Sequence, residues 1–248
     1  MRLPAHLPRR LRLISGLVLF TYITTHLINH ALGIVSLGVA ERALEIAFTF
    51  WRNPLVTIAL YGSAAVHFSL ALWTLYSRRE WRLPLIEILR LAAGFSLPLI
   101  LIRHVLATRV AEDMFGIEAS YSTIIADLRA TGLQGLQLAL LAPGWVHGCL
   151  GLWITLRRSR SMRRLKPLLL AVLVAVPSLA AIGFFRMEAE VAALHVAPSA
   201  RIAGGIETAT LVAWKDTLTD SYLALIFLAI VLGRLRHLPQ LRRRRSSV

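Results

Sequence analysis

The chain has a single cysteine, Cys149, in 248 residues. An internal disulfide is therefore excluded, and neither a thiolate zinc site nor an iron–sulfur cluster can be assembled from this polypeptide alone. Acidic residues are also scarce, with 13 Asp and Glu against 28 Lys and Arg, a net charge of +15. No phosphate loop, nucleophile–base pairing or triad spacing is evident, so no catalytic turnover is expected from this chain by itself. Polar surface is in short supply too. A hydrophobic content of 56% and a mean hydropathy of +0.64 exceed what a soluble domain of this size can cover, and a lipid bilayer is the natural solvent.

The long apolar runs predict an all-α integral membrane bundle of six transmembrane helices, at about 12–35, 55–76, 84–107, 133–156, 167–185 and 217–235. The basic residues sit in short blocks between these runs, a topological pattern that gives no reason to expect a nucleic-acid partner. Connections on one side hold nineteen Lys and Arg, including Arg78, Arg79, Arg82 and the block from Arg157 to Lys166. The other side holds seven, diluted by eleven of the 13 acids. By the positive-inside rule both termini are expected to be cytoplasmic. The first apolar run is too long for a cleavable leader and lacks a small-residue cleavage site, so it should persist as a helix. The expected organisation is a cytoplasmic segment 1–11, a four-helix core 12–156, two further helices in 157–236 with a long outer loop 186–220, and a basic tail 237–248. The run Arg242 to Arg245 reads as an anchor to anionic lipid or as the start of a linker.

Eight histidines are present. His6, His195 and His237 lie in terminal or connecting segments, where solvation accounts for them. His26, His30, His67, His104 and His147 lie within the first four apolar helices, where an ionisable side chain is costly and points to function. At a rise of about 1.5 Å per residue, His67 and His147 each lie roughly 15 Å from the basic end of their helices. His26, His30 and His104 lie deeper, at roughly 21, 27 and 30 Å. Two levels about 10 Å apart result, too far apart for one metal with bonds of about 2 Å to join all of them. Histidine pairs at each level would suit two haem groups held by two histidines apiece inside a four-helix bundle. Other readings of the same spacing are interhelical hydrogen bonding, or a proton relay, for which the first four helices supply just one carboxylate, Glu87. Gly62, Ser63, Gly94, Gly148 and Gly151 would leave room beside the backbone for a macrocycle or for a neighbouring helix.

The segments Thr25-His26-Leu27, Val66-His67, HVLATR from His104 and HGCLGLW from His147 are separated, histidine to histidine, by 41, 37 and 43 residues. In these, residues about 10–156 resemble the single-polypeptide dihaem cytochrome b subunit of succinate dehydrogenases and fumarate reductases. The resemblance implies two haem b groups in a core built from helices one to four. His26 and His104 would ligate the outer haem, with His30 as the alternative on helix one, and His67 and His147 the inner. Arg103 and Arg109 would then lie near the outer propionates, or else extend to the headgroups. His30, if not a ligand, would face a propionate or a quinone. That family usually has five helices, and this chain adds a sixth. The run SGLVLFTYITTHLINHALG from Ser15, followed by Trp51-Arg52-Asn53-Pro54, looks still more like the six-helix dihaem-like membrane anchors of certain bacterial class III adenylate/guanylate cyclases. Such anchors are joined to cytoplasmic ferredoxin and cyclase domains, and the chain stops before either would begin. A membrane domain in isolation, or a relative that stands alone, is expected.

Two other outcomes stay open, a respiratory cytochrome b subunit and a haem-free signalling anchor. The implied location is the bacterial inner membrane. Implied partners are lipid, haem, quinone, a cytoplasmic effector or redox protein, and a second copy of the chain. Trp145 and Trp153 flank His147 and are expected to pack, as is Cys149.

Overall fold

The computed structural model describes residues 7–157, 159–199 and 206–245. Arg2, His6, Arg158 and Arg201 lie outside these, as do the side chains of His237 and of Arg242 to Arg245. The described residues form helices and no strand: α1 (Leu7–Leu32), α2 (Leu37–Trp51), α3 (Pro54–Ser77), α4 (Leu85–Val105), α5 (Ala111–Phe115), α6 (Tyr121–Thr131), α7 (Gln134–Leu156), α8 (Arg160–Arg164), α9 (Lys166–Ala193) and α10 (Ile206–Arg245). Six stretches are long and apolar enough to cross a membrane: Leu7–Leu32, Pro54–Ser77, Leu85–Phe115, Gln134–Leu156, Lys166–Ala193 and Thr208–Arg236. Their outward surfaces are apolar, with Ile58, Leu85, Val174 and Phe227 among the exposed side chains, as contact with lipid requires.

Local chemistry sets the helix ends. Ser36 caps α2 by accepting from the Val39 N–H at 3.2 Å, and Ser120 does the same for α6 through Thr123, also at 3.2 Å. Gly132 ends α6 in the left-handed conformation (φ 68°), where a side chain would be strained, and turns the chain into α7. Neither α2 nor α6 is among the sequence expectations, because both are shorter than a bilayer span. Together with the far end of α9 they form the largest buried cluster, built on Ala40, Ile125, Met187 and Val191, at the end of the bundle away from the arginine-rich connections. The expected loop 186–220 is shortened from both sides, since α9 runs on to Ala193 and α10 begins at Ile206.

In the bundle, α1 packs on α3 and α9, α4 packs on α7, and α10 packs on α3 and α4. Glycine sets the closest approach between α1 and α9: a Cβ at Gly183 would collide with the His30 carbonyl oxygen, and one at Gly33 would come within 2.7 Å of the Gly183 carbonyl. Pro177 lies inside α9 and has no N–H to offer the Leu173 carbonyl one turn earlier. The indole N–H of Trp145 on α7 donates to that carbonyl at 3.1 Å, so the proline defect is satisfied by the neighbouring helix. Trp145 also stacks on Phe20 at 5.1 Å and is almost fully buried, the packing role expected for it, and Cys149 lies against the same cluster.

Candidate functional site

Four helices bring histidines into two pairs. On α3 and α7, His67 and His147 have ring centres 6.0 Å apart with planes at 84°. On α1 and α4, His26 and His104 have ring centres 5.9 Å apart with planes at 66°. The pairs lie at different levels. His67 touches Ser15 on α1, eleven residues before His26, and His104 touches Gln137 on α7, ten residues before His147. At 1.5 Å per residue these offsets place the levels about 15 Å apart, more than the roughly 10 Å expected from helix ends alone.

Hydrogen bonding fixes the tautomers of one pair. The Ser15 hydroxyl donates to the Leu11 carbonyl at 2.7 Å, so its oxygen accepts at 3.2 Å from the Nδ1–H of His67. His147 donates its Nδ1–H to the Arg90 carbonyl at 2.8 Å. Both rings are thereby assigned, from the network, an unprotonated Nε2. Neither Nε2 has a protein partner among the described residues, and both side chains are half-buried. Missing Cβ atoms make room for the rings: one at Gly94 would lie 2.5 Å from His147 Nδ1, and one at Gly16 would lie 3.2 Å from His67 Cε1.

The other pair is more crowded. His104 Nδ1 meets the Gln137 side-chain amide, Nε2 at 3.1 Å and Oε1 at 3.3 Å, and His26 Nε2 is hydrogen-bonded to His30 Nε2 at 3.2 Å. His30 itself faces Tyr121, ring centres 5.2 Å apart, and its buried Nδ1 has no partner among the described residues. Of the two α1 histidines, His26 is therefore the one beside His104. The backbone widens into a π-helical turn over Leu106–Val110, directly after His104, and the Thr108 hydroxyl donates to the His104 carbonyl at 2.8 Å. Such turns re-aim side chains and recur at functional sites. Arg109, inside this turn, is held by Asp113 at 2.6 Å. Arg103 is exposed and lines, with His104 and Gln137, a cleft of about 260 Å³ to which α1 contributes nothing.

Could these residues hold a metal group? A metal bonded to one nitrogen of each of two facing imidazoles, with bonds of about 2 Å, keeps the ring centres about 6 Å apart. The separations of 5.9 and 6.0 Å meet that requirement, and the donor set of the His67–His147 pair is the neutral, Nδ1-anchored imidazole that metal ligation needs. Among the described residues no group of three or more His, Cys, Asp or Glu is arranged around one ion, so the unit to consider is the pair. Four partners escaped the reading of the sequence: Ser15, Gln137, the Arg90 carbonyl and Gly16. Serine and glycine in membrane helices are too common to single out, and a backbone carbonyl leaves no mark on sequence at all.

No family model matches the chain. Comparison with curated proteins and with solved structures likewise yields no match.

Proposed function

We propose that this chain is a membrane dihaem b-type cytochrome module. In this reading His67 and His147 would ligate one haem iron and His26 and His104 the other. The observation that carries the reading is the His67–His147 pair: two imidazoles anchored through Nδ1, with free Nε2 atoms and ring centres 6.0 Å apart inside a membrane bundle. An unprotonated nitrogen with no donor is costly at that depth, and a metal would satisfy both nitrogens together. Each haem, when bound, would supply a one-electron couple tuned by its imidazole ligands.

The chain's own residues would do the rest. Ser15 and Arg90 would orient the inner imidazoles and raise their basicity through Nδ1, as Gln137 would for His104 by accepting the Nδ1–H at its Oε1. Gly16 and Gly94 admit the rings against α1 and α4. Electrons would pass between the two levels across the bilayer, or equilibrate with the quinone pool, with Arg103 and His30 at the outer level. The arginine-rich side would face the cytoplasm of a bacterial inner membrane and a partner there, such as a nucleotide cyclase domain, a redox protein or the hydrophilic subunits of a respiratory complex.

A second reading is favoured by a specific observation. Ser15–His67, Arg90–His147 and Gln137–His104 are interhelical hydrogen bonds, so the histidines already tie helices together without any cofactor. In that case the chain is a haem-free signalling anchor. Visible spectra of protein expressed with ample haem separate the two. Reduced-minus-oxidised haem b bands are expected at two haems per chain, falling to one in His67→Ala or His104→Ala. His26→Ala is expected to lose the outer haem while His30→Ala keeps it. Wild-type protein without haem bands leaves the anchor.

A further inference from the structure

The arginine-rich end of the bundle contains a cluster that neither the histidines nor lipid solvation explains. Arg78, at the end of α3, reaches Glu87 on α4 at 2.8 Å, and Arg90 approaches the same carboxylate oxygen at 3.9 Å. Arg12 on α1 donates to the Thr74 hydroxyl at 2.8 Å and to the Leu70 carbonyl at 3.3 Å, on the turn of α3 just before Arg78. Two guanidinium groups thus meet one carboxylate, with a third, that of Arg12, on the adjoining turn of α3. Arg78 and Arg90 are largely withdrawn from solvent, their side chains 13% and 23% exposed. Both Nε–H groups are fully buried and have no acceptor among the described residues, and the hydroxyl of Ser77, next to Arg78 in the chain, is in the same condition. Arginines that merely extend to the headgroups would leave these atoms wet. Each orphaned donor on a cation is costly, and the excess positive charge makes the missing acceptor an anion. Helix α10 packs against this end of α3, its backbone at Gly233 lying against Tyr76 and its Arg236 over the Tyr76 ring at 5.2 Å.

We propose that Ser77, Arg78 and Arg90, backed by Arg12, form a binding site for a phosphate-class oxyanion, supplied by the headgroup of an anionic lipid or by free phosphate. Two guanidinium Nε–H donors, with a hydroxyl next in sequence to one of them, suit a tetrahedral oxyanion. The site lies at the level where anionic headgroups are found if the arginine-rich side is cytoplasmic. The inference goes beyond the haem reading and does not require it.

The full chain in phosphatidylcholine nanodiscs tests the site, with Tm read from tryptophan emission. Adding phosphatidylglycerol to the discs is expected to raise Tm by about 4 °C or more, a shift of the size a bound ligand gives a protein of this length. The double variant Arg78→Gln/Arg90→Gln should lose most of that shift. Arg79→Gln/Arg82→Gln, which removes equal charge from exposed positions on the same connection, should keep it. Sodium phosphate in neutral discs, compared with sodium chloride at equal ionic strength, separates the sources: a shift there identifies free phosphate as sufficient, and its absence assigns the lipid headgroup. Equal losses in the two double variants would mean a diffuse surface effect and overturn the proposal. A response confined to haem-free protein would mean that a group of the cofactor meets these arginines, and would overturn it too. If the double variant does not fold, native mass spectrometry of the wild type decides, because a site requires retained phosphatidylglycerol in preference to phosphatidylcholine.

Discussion

Tyr121 shows how a residue outside the spanning helices supports those inside. Its hydroxyl accepts from the Asn29 amide at 2.9 Å, its ring faces His30, and it is 6% exposed. Burial pushes its pKa up from the ordinary tyrosine value, and the Asn29 hydrogen bond opposes the rise without cancelling it. The neutral phenol is thus favoured in the folded protein. The stability this supplies is present in full below the unfolded tyrosine pKa, near 10, and is lost as pH rises through the higher folded value. Wild-type Tm is expected to fall with increasing pH above about 10, and Tyr121→Phe to fall less steeply. The same variant should cost about 1–3 kcal/mol at neutral pH because the Asn29 amide loses its acceptor. Thermal unfolding across that pH range checks both. A parallel pH dependence in the two proteins would mean that another group is responsible.

Among the elements, α7 and α9 give the sharpest test of a compensated defect. Trp145→Phe keeps the aromatic packing but leaves the Leu173 carbonyl without a donor, at an expected cost of about 1–3 kcal/mol. Pro177→Ala supplies an N–H to that carbonyl from within α9. The double variant Trp145→Phe/Pro177→Ala should therefore be more stable than Trp145→Phe alone, a coupling that a double-mutant cycle on Tm measures. Additive effects would show that the indole does not compensate the proline. At this scale the sequence is informative where hydrophobic length decides and silent where tertiary contact does. The six long apolar runs stand out because a bilayer demands about 20 apolar residues per crossing. By contrast α2 and α6 depend on serine caps, on Glu41 accepting from the Tyr121 and Ser122 N–H groups, and on packing against α9. Hydrophobic length carries no trace of those contacts, nor of the π-helical turn after His104. The histidines of the two pairs were legible because an ionisable side chain at membrane depth stands out in an apolar helix. Their hydrogen-bonding partners were not, since each is ordinary where it stands.

For the whole molecule, six helices are long and apolar enough to cross a membrane, and six crossings would return the chain to the side on which it began. The excess of arginine on that side predicts which compartment it is. Cys149 is the sole cysteine, and Cys149→Ser provides a background for single reporter cysteines. In intact cells an impermeant maleimide should label a cysteine at the exposed position Glu118 and spare one at Arg79. The reverse pattern would invert the orientation.

Helix α1 serves both levels, holding His67 through Ser15 near its beginning and presenting His26 to His104 near its end. Its axial position is set by the glycine contact with α9, where no side chain cushions one backbone from the other. A methyl group added at residue 183 would thus act like a shim under one end of a rod. Displacement there would disturb two imidazole pairs in unison, although the lower pair lies several helical turns from the insertion.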